Sequence, residues 1–133
     1  LMIFSPQKVK NENPSLIAVK VGKEIEKSLK DYNQKNALKI QFGMGIHLGE
    51  MIVESMEGAS AFHAVGNTVI AAKKAAERAS QQLLLTSSVH RKVSNVVKTQ
   101  QVPAESLWTV TNIVEREDYT DFIDKFMTRQ NRQ

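Results

Sequence analysis

The segment 65–79, VGNTVIAAKKAAERA, carries the side chains best placed to do chemistry. Gly66-Asn67-Thr68 forms a turn, and we predict a helix over 66–80. Ile70 and Lys74 are four residues apart and therefore share one face of this helix. A lysine there can attract an anion, whereas isoleucine has no hydrogen-bond donor. The opposite face is made of small residues that permit close approach to a sheet, namely Val69, Ala72, Ala76 and Ala79.

The three histidines are the other candidates for chemistry. His63 stands just before the helix, where it could contact a nucleotide base or could be a surface or partly packed residue. His47, His63 and His90 do not have the spacing of metal ligands, so we predict no metal site. A histidine after a strand, such as His47, more often holds the fold through hydrogen bonds. The glycines of FGMGIHLGE fit no phosphate-loop spacing, so we attribute them to close backbone packing.

Composition narrows the functional class. The 133 residues contain 18 Lys and Arg against 14 Asp and Glu, and the resulting charge of +4 is scattered along the chain. Because aromatic residues make up only 6%, we expect no base-stacking nucleic-acid surface. The absence of cysteine excludes disulfides and thiolate metal sites and fits a cytoplasmic location. No apolar run approaches the roughly 18 residues of a membrane span, so we expect no membrane insertion by these residues.

The first elements are predicted to be a strand and a long helix. The apolar run 1–4, LMIF, is typical of a buried strand, and since it resembles the inside of a sheet we expect the domain to extend upstream. Asn13 and Pro14 form a helix start, with asparagine as the N-cap. Over 14–34 we predict an amphipathic helix whose inward stripe is Leu16, Ile17, Val21, Ile25 and Leu29. Its solvated faces hold Lys20, Lys23, Glu24, Lys27 and Lys30.

A hairpin is predicted next. Alternating apolar residues over 38–46 indicate a strand, and a turn at 47–50 joins it to a second strand at 51–53. We therefore expect these two strands to pair antiparallel. A polar loop over 55–62 then leads to the helix of segment 65–79.

The second half alternates strands and short helices. We predict strands over 82–87, 94–102 and 106–114, with a short helix that Ser87 or Ser88 caps and that runs through Lys92. A tail helix over 118–133 would carry Phe122, Ile123, Phe126 and Met127. These elements predict one domain over 1–133, an α+β fold in which helices cover a largely antiparallel sheet.

Two stretches together resemble one known family. FGMGIHLGEMIVES, residues 42–55, is similar to the GIHxGE hairpin of the class III adenylyl and guanylyl cyclase homology domain. FHAVGNTVIAAKKAAERASQQLLLTSSV, residues 62–89, resembles the segment that follows this hairpin in the family, and LMIFSP is similar to a family strand. The resemblance covers residues 1–112. It implies a ferredoxin-like, cyclase-type sandwich that lacks its N-terminal strand and metal-binding segment.

The resemblance also implies a chemistry, which this chain has partly lost. Family members close a nucleoside triphosphate on itself, using two carboxylates that hold divalent metal ions. An Asn and an Arg four residues apart on one helix stabilise the transition state. Here the Asn position is Ile70 and the Arg position is Lys74, which keeps the charge without the planar fork. The purine-reading position is His63, and the metal carboxylates would lie upstream of residue 1, so Mg or Mn is expected only if that segment is present.

Three functions follow as hypotheses. The first is a degenerate cyclase homology domain that dimerises for signalling, is inactive by itself, and binds ATP or GTP at most weakly through His63, Asn67 and Lys74. The alternative is the metal-holding half of an active cyclase, completed by a partner subunit in a heterodimer or by upstream sequence. The third is a protein-interaction module whose tail helix docks on a partner.

Overall fold

The computed structural model describes residues 1–5, 13–55 and 62–114, with no side-chain description at 54–55 and 62–65. Within these ranges the chain is an α+β protein with three helices, a mixed four-stranded sheet and a two-stranded ribbon, as predicted at the level of class. The predicted tail helix at 118–133 lies outside the described residues. In chain order the elements are α1 (Pro14–Lys35), β1 (Met44–Ile46), β2 (Ile52–Ser55), β3 (Phe62–Val65), α2 (Asn67–Arg78), β4 (Leu83–Thr86), α3 (Ser87–Val93), β5 (Val97–Gln101) and β6 (Leu107–Ile113).

The four-stranded sheet has the order β1-β4-β6-β5. β1 runs parallel to β4, with Met44 opposite Leu83, whereas β4–β6 and β5–β6 are antiparallel. β2 and β3 form a separate antiparallel ribbon in which Ile52 is opposite Val65. Of the described strands, β1 and β5 are therefore the edges of the sheet.

The predicted pairing of the first two strands is wrong. Residues 51–53 were expected to pair antiparallel with 38–46, but β1 pairs with β4 and β2 pairs with β3. The predicted strand 38–46 is also too long, because only Met44–Ile46 joins the ladder. Asn33 accounts for the difference at Ile40, because its side-chain amide accepts from the Ile40 N–H at 2.7 Å and donates to the Ile40 carbonyl at 2.9 Å. A residue whose backbone is bonded in this way cannot also pair with a strand.

Two smaller predictions also fail. Residues 1–4 form no strand, since no described strand pairs with them, and Leu1 and Met2 are 74% and 64% exposed. Helix α3 begins directly after β4, so its N-cap is Thr86 and not Ser87 or Ser88. The Thr86 side chain makes no cap hydrogen bond.

Helix α1 begins where the sequence predicts it. The Asn13 side chain accepts a hydrogen bond from the Ser15 N–H at 3.0 Å, and Pro14 occupies the first helical position. Asn13 also donates to the Lys92 carbonyl of α3, which ties the two helices together.

The face that α1 buries differs from the predicted one. Its buried residues are Ser15, Ala18, Val19, Gly22 and Glu26, whereas Leu16, Ile17, Val21, Ile25 and Leu29 are only partly buried. Gly22 lies against Leu83 of β4: a Cβ there would be 3.0 Å from a methyl group of that leucine. The helix is therefore rotated so that small residues meet the sheet, because a close approach needs them.

Helix α2 covers the other face of the sheet, where two glycines of the β1 segment touch its backbone. A Cβ at Gly43 would lie 2.4 Å from the Ala76 and Ala79 carbonyl oxygens, and one at Gly45 would lie 2.5 Å from the Ala72 carbonyl oxygen. These contacts confirm that the glycines serve close packing. The predicted inward face of α2 is shifted: its buried residues are Thr68 and Ala75, whereas Val69, Ala72, Ala76 and Ala79 are only partly buried. β1 thus lies between α1 and α2.

The core lies between α1, α3 and one face of the sheet. Its members are fully or almost fully buried: Val19, Leu83, Leu85, Val89, Val93, Val97 and Val110. On the same side His90 of α3 stacks on Trp108 of β6, with ring centroids 4.4 Å apart. On the opposite side Leu84 is also buried, at 1% exposure.

Candidate functional site

The exposed face of α2 carries three of the four predicted site residues. Asn67, Ile70 and Lys74 follow one another at helical intervals and are all exposed, Ile70 by 52%. His63 lies in β3, where its backbone pairs with Glu54 of β2, and Gly66 joins this strand to the helix. The structure therefore gathers Asn67, Ile70 and Lys74 on one surface, with His63 on the strand that leads into it.

Helix α2 enters this surface through an unusual glycine. Gly66 has φ +134°, a conformation that L side chains rarely adopt, and an added Cβ would meet no atom within 4 Å. The need for glycine here is thus conformational and not steric. Gly66 makes no side-chain cap bond to the helix, because it has no side chain.

Helix α2 carries three positively charged residues, Lys73, Lys74 and Arg78, and one negatively charged residue, Glu77. Lys73 and Lys74 are exposed and form no ion pair with any residue in the described ranges. Arg78, at the end of the helix, pairs with Glu105 in the β5–β6 connection. The middle of the helix therefore presents two ammonium groups beside the apolar Ile70. This surface can attract an anion, but Ile70 adds no hydrogen-bond donor to orient one.

The ribbon of β2 and β3 exposes apolar side chains on both of its faces. Ile52 is 67% exposed and Val53 is 47% exposed. Successive residues of a strand point to opposite faces, so neither face of β2 is covered by the described residues at these positions. The Thr68 hydroxyl donates to the Glu50 carbonyl and ties the base of the ribbon to α2. An isolated two-stranded ribbon is marginally stable in water, so exposed apolar residues on it favour a contact with another surface.

A groove, here called the β1 slot, lies at the outer edge of β1 between α1 and α2. Its cavity measures about 520 Å³. One wall is formed by Val21 and Ile25 of α1 and the other by Val69 and Ala72 of α2. Residues 1–4 border it, and Lys73 is at its rim. Ile70 and Lys74 do not line the β1 slot, so the predicted site and the slot are different surfaces.

His47 belongs to a closed polar cluster at the carboxyl ends of β1 and β4. Its Nδ1 is 2.8 Å from the Thr86 hydroxyl and 3.3 Å from the Ser88 hydroxyl. Ser88 also accepts a hydrogen bond from the Leu48 N–H at 3.2 Å. These bonds join the segment after β1 to the start of α3. His47 therefore holds the fold through hydrogen bonds, as predicted. Within the described ranges, no three His, Cys, Asp or Glu residues lie close enough to hold a metal ion.

Glu26 is a buried carboxylate that the sequence analysis did not single out. It is 6% exposed, and its oxygens accept from Lys23 Nζ and from the Leu83 N–H, each at 2.7 Å. Burial by itself raises the pKa of Glu26, but these two hydrogen bonds and the charges of Lys23 and Lys30 outweigh it, and the pKa lies below the ordinary 4.5. Glu26 thereby fixes α1 to β4.

The sequence contains one weak indication that Glu26 forms ion pairs. Lysines three residues before and four residues after it, Lys23 and Lys30, are spaced to meet one carboxylate on a helix. Lys23 was expected on a solvated face, yet its side chain is only 31% exposed and it also donates to the Val110 carbonyl at 3.4 Å. The pattern alone could not show that this face meets a strand.

Neither protein-family models nor curated proteins give a match to this chain. None of the helices in the described ranges is both long enough and apolar enough to cross a membrane.

Proposed function

We propose that the chain is a degenerate nucleotide cyclase homology domain, which dimerises and acts as a signalling or regulatory module without cyclising a nucleotide. The observation that carries the proposal is the exposed face of α2. There Ile70 and Lys74 stand at the positions that resemble the family's Asn and Arg, and the side chain at the first of them is 52% exposed. A surface that faces outward is where a ligand or a second subunit would be met.

The same face explains why catalysis is not expected. The charge that develops on the α-phosphate in the transition state needs donors held in place, and losing one such donor typically costs a factor of about 10²–10³ in rate. Ile70 supplies no donor, and Lys74 supplies one point charge where the family has a bidentate guanidinium. By the resemblance, the metal-binding carboxylates precede residue 1, so these 133 residues would not hold the ions.

Residual nucleotide binding fits this surface better than turnover. Lys73 and Lys74 are exposed and unpaired among the described residues, so a triphosphate could approach without breaking an ion pair. Asn67 at the first position of α2 is also exposed. Binding through these groups would be weak and sensitive to salt, because exposed charges are strongly screened.

The test is a cyclase assay on the purified chain with ATP or GTP and manganese, read by mass spectrometry of the nucleotides. We expect no cyclic product and no pyrophosphate. Robust turnover by this chain alone would overturn the proposal. The alternative, a metal-holding half of an active cyclase, is addressed by repeating the assay with a cyclase-type partner subunit and with the chain extended upstream. Product in either of those mixtures, and not with the chain alone, would favour the alternative.

A further inference from the structure

We propose that the C-terminal end of α1 and the segment after it adsorb to the surface of a bilayer that contains anionic lipids. This surface, here called the α1 tip, consists of Tyr32, Lys35, Leu38, Lys39 and Ile40. The contact is with the bilayer surface and involves no membrane span. The inference goes beyond the proposed function and does not depend on it.

The first step is a group of apolar side chains that the fold leaves in water. Leu38 is 85% exposed, the highest value among the large hydrophobic residues in the described ranges. Tyr32 and Ile40 are 43% and 41% exposed. A single exposed leucine is ordinary on a protein surface, but these three residues lie within nine positions of one another. The grouping therefore needs an explanation, and a contact with another apolar phase provides one.

The second step is that the backbone beside Leu38 is held in place. The Asn33 side chain accepts from the Ile40 N–H at 2.7 Å and donates to the Ile40 carbonyl at 2.9 Å. The Gln81 side chain donates to the same carbonyl at 3.3 Å, and the Lys39 ammonium donates to the Asn33 carbonyl. Leu38 is thus presented to solvent by an anchored segment. An anchored apolar side chain loses less conformational freedom when it enters a contact.

The third step is the charge around these apolar residues. Four lysines lie between positions 27 and 40, against one carboxylate, Asp31. They are Lys27, Lys30, Lys35 and Lys39. Lys30 Nζ is 3.4 Å from Glu26, whereas Lys27 and Lys35 are exposed and form no ion pair with any described residue. The α1 tip is therefore complementary to an anionic surface, and each lysine near an anionic bilayer strengthens binding by about fivefold.

The combination favours a lipid surface over an acidic protein. Lysine is depleted at protein–protein interfaces, whose strongest contacts lie in well-packed pockets. Tyr32, Leu38 and Ile40 do not line the β1 slot. At a bilayer, by contrast, lysine stems can lie along the apolar boundary while their ammonium groups stay among the lipid headgroups. Tyrosine is enriched at the same depth, and an exposed leucine can enter the boundary between headgroups and acyl chains.

The experiment measures binding of the full chain to vesicles by cosedimentation. One set of vesicles is phosphatidylcholine alone, and the other contains an equal amount of phosphatidylserine. We expect binding to the second set only, and weaker binding as salt is added, because salt screens exposed charges. Reversing Lys35 and Lys39 to glutamate together should weaken binding by about 25-fold or more. Leu38→Ser should weaken it by about tenfold, since the side chain no longer leaves water.

Matched controls separate the α1 tip from charge and exposure in general. Lys20→Glu combined with Arg91→Glu changes the net charge of the chain equally, at two exposed positions outside the tip. Ile52→Ser removes an apolar side chain that is 67% exposed on β2. Both controls should bind anionic vesicles like the unmodified chain. Circular dichroism checks that every variant folds, and Lys27→Glu replaces Lys39→Glu if the latter does not fold.

A fluorescent probe reports the contact directly. The chain contains no cysteine, so Leu38→Cys creates a single attachment point for a polarity-sensitive fluorophore. Its emission should be that of a probe in water for the free chain and should shift to the blue on anionic vesicles. The same fluorophore on Ile52→Cys should not shift.

Several results would overturn the proposal. Equal binding to both sets of vesicles, or no binding to either, would exclude anionic lipid as the partner. Loss of binding on charge reversal with full binding by Leu38→Ser would indicate a purely electrostatic surface, which an acidic protein would satisfy equally. A blue-shifted probe in the free chain would show that another part of the chain or a second copy already covers Leu38. None of these results changes the outcome expected in the cyclase assay, so the two proposals fail separately.

Discussion

Glu26 offers the most direct test of how helix α1, which forms one wall of the β1 slot, is held on the sheet. Glu26→Gln keeps the shape and leaves a neutral oxygen for the Leu83 N–H, but it removes the charge that meets Lys23 and Lys30. Glu26→Ala removes the acceptor altogether. Glu24, exposed on the same helix, provides the control substitution Glu24→Gln.

The contacts of Glu26 determine how much stability each substitution should remove. A hydrogen bond to a charged group contributes about 1.5–3 kcal/mol, and a buried donor left without a partner costs about 1–3 kcal/mol. The ion pairs add little, because the Lys23 and Lys30 side chains are 31% and 49% exposed and can return to water. We expect a loss of about 1–2 kcal/mol in the free energy of unfolding for Glu26→Gln and about 2–4 kcal/mol for Glu26→Ala. Glu24→Gln should stay within about 0.5 kcal/mol.

The assay is urea unfolding followed by circular dichroism, repeated across pH. The pKa of Glu26 is lower in the folded chain than its ordinary 4.5, so the carboxylate stabilises the fold fully above that value. Its contribution is lost as the pH falls through the folded pKa. The difference between the unmodified chain and Glu26→Gln should therefore be constant near neutral pH and shrink below 4.5. Equal stabilities at neutral pH, or a difference that acid does not reduce, would refute the role given to Glu26.

Three further predictions concern the packing of β1, the start of α1 and the α2 face. Gly45→Ala should destabilise the fold by about 3 kcal/mol, because its Cβ would meet the α2 backbone. Gly22→Ala should destabilise it less, because its Cβ would meet side-chain atoms of Leu83 and Ile46 and alanine favours a helix; thermal unfolding of the two variants compares them. Asn13→Ala should cost about 1 kcal/mol in urea unfolding through the lost cap, and an unchanged midpoint would contradict the cap. Under the proposed function, in which the metal carboxylates precede residue 1, Ile70→Asn combined with Lys74→Arg should give no cyclase activity; product from that double variant would show that metal is held elsewhere.

The local signals of the sequence predict the elements well. Asn13 and Pro14 determine where α1 begins, and the run of small residues after Gly66 predicts α2, although the residues that this helix buries are Thr68 and Ala75. The strands β4, β5 and β6 lie within the predicted ranges. The outward position of Ile70 and Lys74 also follows from helical spacing alone. Each of these features depends on neighbours a few residues away.

The pairing of the strands could not be predicted from such local signals. The alternation over 38–46 shows that a strand is possible, but it does not show which strand pairs with it. The turn at 47–50 favoured the next strand along the chain, at 51–53. The actual partner of β1 is β4, separated from it by the ribbon and α2. A parallel pair needs such a long crossover, so its choice depends on contacts far apart in the chain. Asn33 bonds the backbone of Ile40 through a contact that the pattern does not reveal.

By itself, then, the sequence determined the helices, most of the strands and the residues exposed on α2, because capping, periodicity and side-chain size act over one or two turns of chain. Only the tertiary structure shows which face of α1 packs on the sheet. That face is fixed by the close approach of Gly22 to Leu83 and by the hydrogen bond from the Leu83 N–H to the Glu26 carboxylate. That orientation leaves Val21 and Ile25 facing the β1 slot. The groove arises from the packing of elements distant in sequence, which no local pattern encodes.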